Sequence, residues 1–293
     1  MATLRELKGR IGSVASSEKI TGAMKMISSA KMHKAEQALR RLLPFRQQVE
    51  TIIGNLLSAD AQFSSPLLQS RDVNHVAIVV LGSDDGLCGA YNVNIFKQLV
   101  AKIADYRAKW GQQIEIDVYP VGSKILKAVK KIASNTIKVV DEDVDSKASA
   151  DEVKQFVAML QQRFINNEID RVDFLYMSFK SVSRQVLTHE QLLPVEQNTF
   201  DKVGKVASAR PYLFEPDVNS IFTTVLPLYI LSVMQEVFTE NRASEQAARV
   251  MAMQSANDNA KKLLEQLRLE YNKLRQQSIT TELLDIVGGQ IKN

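Results

Sequence analysis

Three groups of residues in this 293-residue chain could do chemistry: a glycine-rich loop, the lone cysteine, and the scattered histidines and carboxylates. The loop, Gly82-Ser-Asp-Asp-Gly86-Leu-Cys-Gly89, follows a β-branched run and precedes an amphipathic stretch. Backbone N–H groups placed that way can cradle a phosphate. Its spacing is not GxGxxG, however, and GxxxxGK[ST] occurs nowhere in the chain. Asp84 and Asp85 would repel a phosphate at that point, so the loop reads as a tight structural turn. Cys88 has no lysine or arginine within several residues to stabilise a thiolate and reads as a packed small side chain. His33, His75 and His189 lie far apart without metal-ligand spacing. The acids of 141–145 read as a solvated loop, and Ser, His and acidic residues form no triad pattern. The expectation is a non-catalytic protein with no cofactor, no metal and no small-molecule substrate.

The informative residues lie on long helices at the two ends. No Pro or Gly falls between Asn241 and Gly288, and strong helix formers dominate there. Met253, Ala256, Ala260, Leu263, Leu267, Tyr271 and Leu274 recur every three or four residues, a stripe too narrow for a globular core and suited to one partner helix. Gly288-Gly289 is expected to end that helix. At the other end, residues 2–58 carry a stripe through Leu4, Leu7, Ile11 and Val14, then Ile20, Met24, Ile27 and Ala30. It continues through Ala35, Ala38, Leu42, Phe45, Val49, Ile52 and Leu56. The alternation of threes and fours passes through Pro44, which predicts a kink there and not a terminus.

Between the rods the composition changes. Residues 59–74 read as a linker with a Ser64-Ser65-Pro66 breaker. Strands are expected at 75–81, 114–121, 136–140, 172–179 and 185–193, with helices at 93–110, 124–133 and 152–166. Residues 196–210 read as loop. Strands alternating with helices argue for a Rossmann-like, doubly wound sheet. Asp217, after Pro216, is a plausible N-cap for the last helix, which Pro227 could kink. The fold expected is α/β plus a long antiparallel coiled coil. Helices 1–58 and 211–293 form a shaft, and an inserted α/β foot occupies 75–210.

Hydrophobic residues make up 45% of the chain and aromatics only 6%, a balance suited to a helix-rich rod. The apolar stretch 221–233 reads as too short to span a bilayer, and no secretory leader pattern opens the chain. One cysteine suits a reducing compartment. Residues 1–60 hold ten basic against five acidic residues, which reads either as a solvated helix face or as a surface for an acidic protein partner or, less so, nucleic acid.

Four ordered motifs carry a resemblance. They are Lys19-Ile-Thr-Gly-Ala-Met-Lys-Met-Ile-Ser-Ser-Ala-Lys31-Met32; the 82–92 loop; Glu240-Asn241 with Ser244-Glu-Gln-Ala-Ala-Arg249 and Ala256-Asn-Asp-Asn259; and Ile279-Thr-Thr-Glu282-Leu-Leu-Asp285-Ile-Val-Gly-Gly289. Together they make the chain similar, over its whole length, to the gamma subunit of bacterial F-type ATP synthases. Asp85 stands where the family often has Arg or Lys, and the cysteine-bearing insertion of chloroplast members is missing.

The resemblance implies a central rotor shaft. It would couple proton-driven rotation of a membrane c-ring to conformational cycling of the catalytic sites on a ring of three alpha and three beta subunits. An epsilon subunit and the c-ring would contact the foot, at the cytoplasmic face of the inner membrane, with no span of its own and no nucleic acid. It also implies that Met24 and Lys25 face an acidic lever segment of a beta subunit. Arg275, Gln276, Thr280 and Glu282 would hydrogen-bond to ring loops near the tip, and Ile286 and Val287 would run in an apolar sleeve. Two other classes compete: a coiled-coil adaptor or nucleic-acid-associated protein, and a Rossmann-type enzyme with helical arms.

Overall fold

The computed structural model describes residues 3–57, 65–196, 200 and 214–290, the side chains of 285 and 287–290 excepted. Helix α1 spans Leu4–Leu57 and helix α5 spans Val218–Gln290, about 80 and 110 Å at 1.5 Å per residue. Both pass through a proline, Pro44 and Pro227. Asp217 caps α5: its carboxylate accepts from the Ser220 N–H at 2.9 Å and from the Ser220 hydroxyl at 2.5 Å. The glycine pair does not stop α5, which is helical through Gly288 and Gly289 to Gln290. Glycine lowers helix propensity without forbidding the conformation. The expected loop at 196–210 lies largely outside the described residues, as do residues 59–64 of the expected linker.

Between the rods sit strands β1 (His75–Leu81), β2 (Glu115–Val121), β3 (Ile137–Val139), β4 (Arg171–Ser181) and β5 (Arg184–Leu193), with helices α2 (Tyr91–Trp110), α3 (Ser123–Val129) and α4 (Ala150–Ile165). The sheet order is β3-β2-β1-β4-β5. The first four strands are parallel, and β5 returns antiparallel to β4. Alternation along β1 divides the core. Val76, Ile78 and Val80 pack with α2 and α3, while Ala77, Val79 and Leu81 face α4, the end of α1 and α5.

The base of α5 is as apolar as it is because it is foot core. By length and composition it contains an 18-residue window apolar enough to cross a membrane, mean hydropathy 1.6, contrary to the expectation from 221–233. Phe222, Leu226, Ile230 and Met234 are instead fully buried against the sheet and α4.

The rods run antiparallel. Arg46 Nη1 lies 2.7 Å from Glu236 Oε2, and Asn257 Nδ2 donates to the Glu18 carbonyl at 2.6 Å, so contacts climb one helix as they descend the other. The seam differs from the stripe expected on α1. Ile20, Ile27, Phe45 and Ile52 are exposed, by 59%, 56%, 51% and 42%, and Ala30 and Ala38 are exposed as well. The buried and half-buried residues keep an unbroken alternation of fours and threes through Val14, Glu18, Thr21, Lys25, Ser28, Met32, Ala35, Leu39, Leu42, Arg46, Val49, Ile53 and Leu56. Apolar residue type misleads here because the seam is partly polar. Asn257 answers Glu18 and Thr21, and Glu236 answers Arg46. On α5 the seam likewise takes Asn257 and Leu264, where the stripe expected Ala256 and Leu263.

Two buried aspartates brace the foot from opposite faces of the sheet. Asp173 accepts from Arg171 at 2.9 Å and from the Tyr106 hydroxyl, with His189 Nε2 at 3.3 Å. Asp117 has His75 Nε2 at 3.1 Å and Arg163 Nη1 at 3.0 Å. Burial raises both carboxyl pKa values. His189, Arg171 and Tyr106 on one, and His75 and Arg163 on the other, more than reverse that and hold both below the ordinary range. A depressed carboxylate pKa adds stability that is present above the unfolded value of about 3.9 and lost as pH falls through the lower folded value. The thermal midpoint is therefore expected to fall steeply on acidification below about pH 4. Asp173→Asn should lower the midpoint at neutral pH and flatten that acid limb; an unchanged limb would contradict the assignment.

Candidate functional site: the shaft and its junction with the foot

The residues singled out on the shaft form two separate belts. Met24 and Lys25 are half-buried on α1, Lys25 on the seam itself and Met24 beside it. Exposed Ile20, Met26 and Ile27 surround them, Met26 at 68%. The expected stripe takes Ile20 and Ile27 of this outer face as seam, but the structure puts them out of phase with it, and the step of six from Val14 to Ile20 breaks the heptad. The second belt is the end of α5. Counting in opposite directions from the Glu18–Asn257 contact, Leu4 lies level with residue 271, so the rest of α5 runs past α1 as a lone helix. Arg275, Gln276, Thr280 and Glu282 are exposed there, with Thr280 Oγ1 bonded to the Gln276 carbonyl and Ser278 Oγ to Glu282. Ile279, Leu283, Leu284 and Ile286 are 49–66% exposed. Val287 is helical, its side chain outside the described residues. The belts are on the order of 40 Å apart along the rods.

A third site, without a signal in the sequence, is the junction of shaft and foot. In a doubly wound sheet, ligands bind beyond the carboxyl ends of the strands where the order reverses, here between β1 and β4. That crevice is occupied by α5. Buried Asn241 donates to the Gly82 carbonyl at 2.9 Å and accepts from the Tyr91 hydroxyl at 2.6 Å. Arg242 donates to the Ser146 carbonyl at 2.6 Å and to the Ala148 carbonyl. Arg249 reaches the Asp85 and Gly86 carbonyls at 3.3 Å and pairs with Glu245 at 2.6 Å.

Asp84 ties the two loops together, accepting from Ser123 N–H at 3.0 Å and from the Ser146 N–H and hydroxyl at 3.2 and 2.6 Å. Burial raises its pKa, and these bonds more than compensate, leaving it lowered. The glycine-rich loop thus turns its carbonyls to Asn241 and Arg249 of the shaft, and Cys88 is packed at 3% exposure. Nothing in sequence spacing links Arg242 to Ser146 and Ala148, 96 and 94 positions before it, so the junction has no local sequence signal.

Among the described residues, no group of three or more His, Cys, Asp or Glu side chains could hold a metal ion. A shaft of two rods with a bare tip, locked to an α/β foot, narrows the comparison with known proteins. An ATP synthase family model matches residues 3–291. The ATP synthase gamma chain of Phocaeicola vulgatus is 42% identical over 291 residues, covering 99% of this chain and all of that one. The gamma chain of Bacteroides fragilis is 43% identical over 298 residues, covering 99% of this chain and all of its own length.

The chain belongs to the ATP synthase gamma-chain family.

As a gamma chain it is a subunit of an ATP synthase, a membrane-associated complex. Its fold matches a chain in the mitochondrial OSCP/F1/c-ring assembly of Euglena gracilis with a TM-score of 0.63, at 21% identity and covering 99% of this chain and 94% of that one. A chain of the central stalk/c-ring structure of Tetrahymena thermophila gives 0.55 at 20% identity, covering 81% and 99%. At such identities the likeness is one of fold alone.

Proposed function

We propose that the chain is the non-catalytic central shaft of an F-type ATP synthase, turning inside a ring of three alpha and three beta subunits while its foot rides on epsilon and the c-ring. The observation that carries this reading, beyond family membership, is the bare end of α5. A lone helix with Ile279, Leu283, Leu284 and Ile286 exposed is left with apolar surface that a sleeve would cover. Ile286 and Val287 would run in that sleeve, with Arg275, Gln276, Thr280 and Glu282 bonding to its loops. Lower down, Lys25 and the surplus of basic residues on α1 suit an acidic lever on a beta subunit, with Met24 and the exposed Ile20 and Ile27 beside it. Polar contacts at a few positions would make each site's affinity depend on angle. The domains proposed are shaft helices 1–58 and 211–293, linker 59–74 and foot 75–210.

Co-expression with the alpha and beta subunits of its own organism tests this. The chain is expected to co-elute at one copy per three beta subunits, with ATPase activity depending on it. Elution alone, with ring activity indifferent to it, would overturn the reading. Within that complex, Leu283→Asp with Leu284→Asp is expected to weaken shaft retention at least about tenfold, since each carboxylate would have to enter an apolar sleeve. Retention would be read as the gamma-to-beta ratio after gel filtration.

A further inference from the structure

From Leu226 to Val250, α5 is buried on nearly every side, with the sheet and α4 on one flank and α1 on the other. Apolar packing holds such a helix in place, and directional bonds add to its resistance to rolling about the helix axis. Directional bonds from long side chains oppose rolling best, because they act at roughly 6 Å from the axis. Arg242 makes two such bonds to one loop of the foot. It donates to the Ser146 and Ala148 carbonyls, and among the described residues it has no carboxylate within ion-pair distance, so its guanidinium is committed to the foot. The loop it holds is fixed to the β1 loop by Asp84, which makes the anchorage stiff.

We propose that Arg242 is the positioning residue that passes torque between foot and shaft, by preventing α5 from rolling in the foot. This rests on the rotor-shaft reading. Loss of the contact leaves the shaft in its ring but lets the foot lag behind it, so hydrolysis continues while ion transport falls behind.

The test uses the assembled complex in inverted membrane vesicles, measuring ATP-driven ion uptake per ATP hydrolysed for the parent, Arg242→Gln and Arg242→Lys. For Arg242→Gln, hydrolysis is expected to stay within about twofold of the parent while uptake per ATP falls at least about threefold. Lysine, a compact charge that cannot reproduce the spread of two guanidinium nitrogens, is expected to fall between. An unchanged uptake-to-hydrolysis ratio in Arg242→Gln overturns the proposal. If that variant does not assemble, Arg242→Lys decides: an intermediate ratio supports the proposal and a parental ratio overturns it. A merely structural role would lower both rates together, through fewer assembled complexes, and leave their ratio unmoved. Parent complexes whose hydrolysis does not depend on this chain would instead overturn the rotor reading, and this inference with it.

Discussion

Replacing Arg249 with alanine is expected to destabilise the chain by about 3–5 kcal/mol, the range for breaking a buried ion pair from one side. Glu245 and Arg249 are 4% and 5% exposed and pair across one helical turn. Burial alone pushes the Glu245 carboxyl pKa up, and Arg249 offsets that only in part. Without the guanidinium, Glu245 faces either an unpaired buried charge or protonation, and the Asp85 and Gly86 carbonyls lose a donor. The effect is a matter of desolvation. The double variant Glu245→Leu with Arg249→Met should therefore recover most of the loss. Urea unfolding of the three chains checks this; a double variant no better than Arg249→Ala would show that the carbonyl contacts, not the pair, carry the energy.

Gly82→Ala is expected to cost about 3 kcal/mol or more, at or beyond the upper end for an overpacked core. A Cβ there would fall 2.5 Å from Ile125 Cβ, 2.7 Å from its Cγ2 and 3.0 Å from Asn92 Oδ1. None of these can step aside cheaply. Ile125 Cβ is fixed to the α3 backbone, and Asn92 Oδ1 accepts from Ser83 N–H. The damage should spread to the shaft, because the Gly82 carbonyl is the acceptor for Asn241. Ile125→Ala should rescue little, since the 2.5 Å contact is with its Cβ, whereas Ile125→Gly should relieve the clash at the cost of a hole. A parental unfolding midpoint in Gly82→Ala would refute the close approach of β1 to α3.

The sheet was legible because its residues report their own environment. His75–Leu81 is short, apolar and β-branched, as a buried parallel strand typically is, and its bounds hold to the residue. Residue types also marked the rods as helical, together with Asp217 as a cap. The seam between the rods was legible only where it is apolar. From Val14 the eye moves to Ile20, while the heptad continues through Glu18, Thr21, Lys25 and Ser28. Those positions are buried by what α5 places opposite them, above all Asn257, whose amide lies 3.3 Å from where a Cβ on Gly22 would stand. Family motifs named Met24, Lys25 and the tip residues but not the unpaired length that exposes Ile279 to Ile286; that needs the register of α1 on α5.

What this sequence determined by itself is therefore local: two long helices, an alternating α/β segment and the absence of nucleotide-loop spacing. Periodicity and propensity act over a few residues and are written in order along the chain. The tertiary structure alone decided which polar residues enter the seam, how far α5 overshoots α1, and that α5 fills the crevice where such sheets usually take a ligand. Each depends on a partner distant in sequence, Asn257 for Glu18, Ser146 and Ala148 for Arg242, the Gly82 carbonyl for Asn241. Burial and hydrogen bonding at those positions follow from the partner's place in space, not from the residue's own type.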